Sequence, residues 1–390
     1  TMIRNFARKS TLPLVALFTL ALLAGCAGKQ EETRYSPKEL QRFEASAELK
    51  RDWRQRAGRG LGRAAYPISP ALDGETIFAA DERGRVMAFA ADSGQQRWQT
   101  DLDVGVSSGL SAVAGHVYLG TRNGEVLALN QANGDIAWRA RVSSEVLAPP
   151  QPSQQLLVVQ SVDGTVTALD RQSGQERWVY SASQPSLTLR GTGTPTVIDP
   201  VTFAGFANGR LVTLDNRNGQ PLWERRIAVS QGRSEIERMV DLSGQPVLTP
   251  DGRLFVTSYN GRLAALDAAS GDVLWQRELS SHLTPVLVGD RLLTVNEMSH
   301  VLAFDAHSGE ELWRNRDLQN RQLTAPAFAD GNLVVGDFEG YLHLIDIQSG
   351  RFTARTRVDS SGISVRPLTD YRRIYVLAND GRLEALDIRR

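Results

Sequence analysis

One motif recurs eight times along this 390-residue chain, and its spacing restricts the fold more than any other feature. A copy opens on glycine, runs through an alternating strand into an Asp-type turn with a second glycine, and reaches tryptophan four residues later. Five copies are complete: Gly84 to Trp98, Gly124 to Trp138, Gly164 to Trp178, Gly209 to Trp223 and Gly261 to Trp275. The sixth, Ser299 to Trp313, lacks the first glycine; the seventh, from Gly340, has Ala354 where tryptophan is due; the eighth, from Gly381, stops short of that position. Within a unit the apolar residues alternate as in a strand. The Asp-Ser-Gly or Asn-Gly step suits a tight hairpin. Another short strand precedes each motif, as in Val117 to Gly120 and Leu333 to Gly336. Four strands in about 40 residues make a propeller blade. A solenoid would need capping repeats. Here the ends complement each other, since Leu49-Lys-Arg-Asp-Trp53 can supply the outer strand that the eighth copy lacks. The expectation is an all-β fold: an eight-bladed β-propeller of four-stranded antiparallel blades over residues 49–390, closed by pairing the N-terminal strand with the C-terminal blade, which protects both edges.

Residues before the ring speak to location. Arg4, Arg8 and Lys9 precede an apolar run from Leu12 to Ala24, shorter than the roughly 20 residues of a membrane span. It reads as a secretory signal. The run ends in Leu23-Ala24-Gly25-Cys26, the pattern of a bacterial lipobox, and Cys26 is the sole cysteine. That leaves none for a disulfide or a Cys-based metal site. Residue 27 is alanine rather than aspartate, which favours the periplasmic face of the outer membrane. Residues 1–25 are therefore expected to be a lipoprotein signal peptide, and 26–48 a lipidated tether. Ser36-Pro-Lys-Glu39 has capping-box spacing and predicts a short helix to about Ala45.

The repeat is interrupted twice, in consecutive units. From the tryptophan to the start of the next inner strand, the connections beginning at Trp178 and Trp223 are longer than the others. Both join an outer strand to the next inner strand, so both emerge on one face, side by side. The first carries Leu187 and Leu189 beside Arg190. The second mixes Ile236, Met239 and Val240 with Glu237, Arg238 and Asp241. Apolar anchors ringed by arginine and acid have the composition of a protein interface; the competing reading packs these leucines back onto the ring.

The Ala-Leu-Asp-x-x-Ser-Gly-x-x-x-Trp units resemble the quinoprotein-type propeller repeat. Three further features narrow the resemblance: the lipobox, the segments Leu187-Thr-Leu-Arg-Gly191 and Ser234-Glu-Ile-Glu-Arg238, and the run Gly331 to His343. Together they resemble the BamB family, the propeller lipoproteins of the outer-membrane β-barrel assembly (BAM) machinery, over residues 12–390. The resemblance implies a non-enzymatic scaffold subunit that binds BamA in its periplasmic POTRA region and aids insertion of outer-membrane proteins. It also implies partner-binding roles for Leu187, Leu189, Arg190 and Asp241, and lipidation of Cys26. A second acidic position of that loop is Ser243 here, which departs from the family pattern.

Two other classes compete with this reading. Enzymes dependent on pyrroloquinoline quinone share the repeat, but they are longer and need a metal site and a catalytic aspartate. Here Asp170, Asp215, Asp267, Asp305, Asp346 and Asp387 stand at turn positions where they bond local backbone. His300 and His307 belong to one repeat without metal-ligand spacing, and Gly191-Thr-Gly193 lacks a strand-to-helix context. No catalytic, cofactor or metal residue is assigned, and no cofactor is expected. A scaffold for another envelope complex is the remaining alternative. Formal net charge is zero, which gives no reason to expect nucleic acid. The expected partners are BamA and, through the lipid, the membrane, for a monomeric propeller within a hetero-oligomeric complex; contact with nascent outer-membrane proteins by strand addition is left open.

Overall fold

The computed structural model describes residues 35–189 and 192–390. Cys26, the signal segment and Arg190 lie outside the described residues. Residues 37–390 form one compact unit. It holds eight four-stranded antiparallel sheets and, among the described residues, no helix. Seven sheets take their strands consecutively, innermost to outermost; they are blades 1–7, spanning residues 71–101, 111–141, 151–181, 196–226, 247–278, 286–315 and 327–357. Blade 8 has inner strands Leu368–Asp370, Arg373–Leu377 and Arg382–Arg389, and its outer strand is Glu48–Arg56 from the other end of the chain. The expected closure is thus the observed one.

Burial follows from stacking sheets side by side. The two middle strands of a blade are covered on both faces, so runs such as Leu156–Gln160 are wholly buried. The alternation read from sequence therefore sends side chains toward two neighbouring blades, and Val86 to Ala90 are all buried. Outer strands are mostly exposed, with the tryptophan turned inward, as in Gln96–Asp101.

The tryptophans explain the repeat. Each stands opposite a small residue of the adjacent strand: Trp98 faces Ala88, Trp178 faces Ala168, and Trp53 faces Ala385. That gives the indole room to lean onto the next blade. There it covers the glycine of the hairpin turn, and its Nε1–H donates to a turn carbonyl. Trp178 lies over Gly219 and donates to the Asn216 carbonyl at 2.8 Å; Trp53 lies over Gly94 and donates to Ala91 at 3.0 Å, which ties blade 8 to blade 1. A Cβ on either glycine would fall within 2.5 Å of the ring, so glycine is needed for space as well as for its positive φ. In blade 7 the pair is inverted: Leu344 stands opposite Ala354.

Two expectations are corrected. The helix over Ser36 to about Ala45 is absent; residues 37–45 are irregular backbone laid against blades 6 and 7. Lys38 N–H donates to the Gln319 carbonyl at 3.0 Å, and the Phe43 ring packs on Phe352 at 5.4 Å. These tertiary contacts outweigh the local capping signal. Asp387 is not in a turn. It lies in the closing strand pair and accepts from Arg373 at 2.9 Å.

Candidate functional site

In an antiparallel blade, the turns between the two middle strands share a face with the connections to the next blade. Of the eight, five are short, such as residues 102–110; residues 57–70 at the ring closure are longer, and so are the adjacent pair 182–195 and 227–246. They flank blade 4, and the turn at Ala207–Asn208 lies between them. Pro185, Ser186 and Leu187 wall one side of a groove of about 330 Å³. Met239, Arg238 and Glu235 wall the other, over a floor that includes Ala207 and Val240.

Each loop is held by specific contacts. In the first, Ala182 N–H donates to the Gly164 carbonyl at 3.1 Å, and Asn208 Nδ2 donates to the Ser183 carbonyl at 3.1 Å. Leu187 is 40% exposed, and Leu189 is half-buried. The second loop contains a reciprocal box: Glu237 N–H donates to Ser234 Oγ at 3.1 Å, and the Glu237 carboxylate accepts from the Ser234 and Arg233 N–H groups. Those backbone bonds hold the Glu237 carboxyl below its usual range. The box supports a single turn that leaves Ile236 68% exposed. The loop then dives inward, where Val240 and Leu242 join Phe203 and Leu211 in a buried cluster.

Asp241 goes inward too. Its backbone bridges Tyr259, whose N–H donates to the Asp241 carbonyl at 2.8 Å, and its side chain is only 2% exposed. Burial pushes its carboxyl up to about 7, against a backbone hydrogen bond from Leu242. No cation pairs with it among the described residues. Asp241 therefore lies under the second loop rather than on the groove, while Leu187 is on it. Ser243 is half-buried, with its Oγ 3.5 Å from the His282 carbonyl.

Sequence reasoning found Val240 but missed the rest of the floor. Ala207 and Asn208 belong to a regular blade turn and carry no local sign of a role; only their position between two long connections marks them. Elsewhere the chemistry is structural. Asp170, Asp267, Asp305 and Asp346 each accept from the backbone N–H groups two and three residues on. Asp215 accepts from the Arg217 N–H and pairs with its guanidinium. His300 bonds Gln319 and His307 bonds Asp290, so the two do not converge. Among the described residues, no group of three or more metal-ligating side chains occurs.

Fold and repeat together define an eight-bladed propeller of the quinoprotein type that carries two adjacent long loops on one face. The family model described as outer membrane protein assembly factor BamB matches residues 34–105, 82–315 and 297–390. A protein of that name from Pseudomonas aeruginosa is 43% identical over 376 residues, covering 96% of this chain and 98% of the relative. One from Escherichia coli K12 is 35% identical, covering 97% and 99%. The crystal structure of BamB from Moraxella catarrhalis superposes with a TM-score of 0.80 at 27% identity, covering 87% of this chain and 99% of that one. The chain belongs to the BamB family. Membership places it among outer-membrane protein assembly factors, not enzymes, and associates it with the outer membrane.

Proposed function

We propose that this chain is the lipid-anchored scaffold of the outer-membrane barrel assembly complex, and that it holds BamA, in its periplasmic POTRA region, on the face built by loops 182–195 and 227–246. The observation that carries this reading is the groove those loops share. It combines an exposed leucine, a methionine and flanking charges on a rigid ring, the make-up of an interface hot spot. Leu187, Leu189 and Arg190 supply contact from the first loop. Asp241 supports the second loop from beneath through its backbone bridge to Tyr259. A lipid on Cys26 keeps the disc at the periplasmic face of the outer membrane, with residues 1–25 removed as the signal peptide.

Leu187→Glu and Arg190→Glu test this in co-purification with BamA from envelope extracts. Each should weaken capture more than tenfold, about 1.4 kcal/mol, and leave the melting temperature unchanged. Undiminished capture by both variants sinks the assignment of this face. Enrichment of a different envelope complex in place of BamA sinks the partner.

A further inference from the structure

Tryptophan staples seven of the eight blade junctions, from Trp53 between blades 8 and 1 round to Trp313 between blades 6 and 7. The junction between blades 7 and 8 has Ala354 instead. Blade 8 borrows its outer strand, so it has no hairpin turn there for an indole to cover. Residues 37–47 run across the outer side of blade 7, from the blade 6–7 connection to that seam. The Ser46 and Ala47 N–H groups donate to the Thr353 carbonyl at 3.0 and 3.1 Å. Ala47 and Leu49 pack on the buried cluster that holds Ala354, Ile374 and Leu386 of the two blades.

A buried chain of hydrogen bonds holds the middle of this strap. Arg321 donates to Asp337 Oδ2 at 2.8 Å and, through another nitrogen, to the Lys38 carbonyl at 3.0 Å. His343 Nε2 lies 2.9 Å from the same carboxylate oxygen. Arg355 Nε donates to His343 Nδ1 at 2.9 Å, and Arg355 also donates to the Gln41 carbonyl at 2.9 Å. Its guanidinium covers the rings of Phe43 and Phe352 at 4.9 and 4.8 Å. Asp337 and His343 have no solvent exposure.

This arrangement dictates the protonation state of His343. A guanidinium nitrogen only donates, so Nδ1 must accept, and Nε2–H donates to Asp337. A second proton would sit on Nδ1 and face a guanidinium N–H. Burial pushes the imidazole below its usual range; Asp337 opposes this, and Arg355 and Arg321 add to it. Tyr341 and Phe352 are the rings beside it, and Glu339 meets the network only through Arg321.

We propose that residues 37–47 are a latch across blade 7, ending at its seam with blade 8, held while His343 is neutral and released when it takes a second proton. Protonation displaces Arg355, which forfeits both the Gln41 carbonyl and the Phe43 ring.

Hydrogen exchange on the full chain tests this at the Lys38, Ser46 and Ala47 amides. Between about pH 7.5 and about pH 5.5, corrected for intrinsic rates, their protection should fall about tenfold, the linkage expected of one imidazole titrating near 6.5 when released. Amides of the middle strands should keep theirs. His343→Gln can donate to Asp337 and accept from Arg355 without titrating, so it should hold the latch at both pH values. Unchanged wild-type protection, or the same pH-dependent loss in H343Q, overturns the proposal. Phe43→Ala loosens the strap without touching the buried ions. It should lose protection over 37–47 alone; loss in the middle strands as well would make the segment part of the ring and overturn the latch.

Discussion

Replacing Gly219 by alanine pushes a methyl group into the face of Trp178. The new Cβ would stand 2.5 Å from Cε3 and 2.7 Å from Cδ2, well inside contact distance. The ring cannot easily yield, because it is buried and its Nε1–H is held by the Asn216 carbonyl at 2.8 Å. Overpacking of this kind costs about 1–3 kcal/mol. The positive φ of 72° adds about 1 kcal/mol for an alanine. Gly219→Ala should therefore destabilise by about 2–4 kcal/mol. Trp178→Ala should cost about 3–5 kcal/mol through lost burial and the cavity left behind. In the double variant the methyl group has room, and only the backbone term remains. The pair should be less destabilising than the sum of the singles by about 1–3 kcal/mol. Urea denaturation followed by far-ultraviolet circular dichroism measures all four proteins. Additivity within about 0.5 kcal/mol would show that ring and turn do not compete for this space, and the staple account would fail.

The buried Asp241 makes stability depend on pH. Its folded pKa of about 7 lies above its ordinary value, so folding favours the protonated form; its contribution is complete in acid and falls as pH rises toward 7, by about 1.4 kcal/mol per unit. Asp241→Asn should flatten that dependence and be the more stable protein at pH 8, and identical urea midpoints against pH would refute the reading. Arg373 spans the closure, reaching Asp387, Asp52 and the Ala91 carbonyl. Arg373→Ala should destabilise by about 1–3 kcal/mol and raise amide exchange in Glu48–Arg56 before other strands, whereas uniform exchange would place its effect elsewhere.

The ring was legible because its stabilising contacts repeat at one period, from each blade to the next. Trp, Asp turn and glycine recur at fixed offsets, and the orphan Trp53 identified the closing strand. The enlarged loops were legible for the same reason, as breaks in a period. What escaped were features decided by partners far along the chain. Ser36 to Glu39 carries a genuine helix-start pattern, yet Arg321, Arg355 and Phe352, some 300 residues on, hold the segment extended. Asp241 reads as a surface acid among charged neighbours, and only the bridge to Tyr259 turns it inward. Asp387 looks like its five counterparts until the closing pair removes the turn and supplies Arg373.

The pairing of Glu48–Arg56 with Arg382–Arg389 also orders events in time. Arg54 meets Glu384 across 330 residues of sequence, a closure costing about 5 kcal/mol in chain entropy. Blades 1 to 7 can each hydrogen-bond internally as soon as they are synthesised, but the first strand of the described residues finds its partner last. Until then Trp53 has no Ala385 opposite it, and blade 8 offers an open edge. The interval between synthesis and closure is when this protein is most exposed to misassembly, and the hazard is concentrated in a single strand.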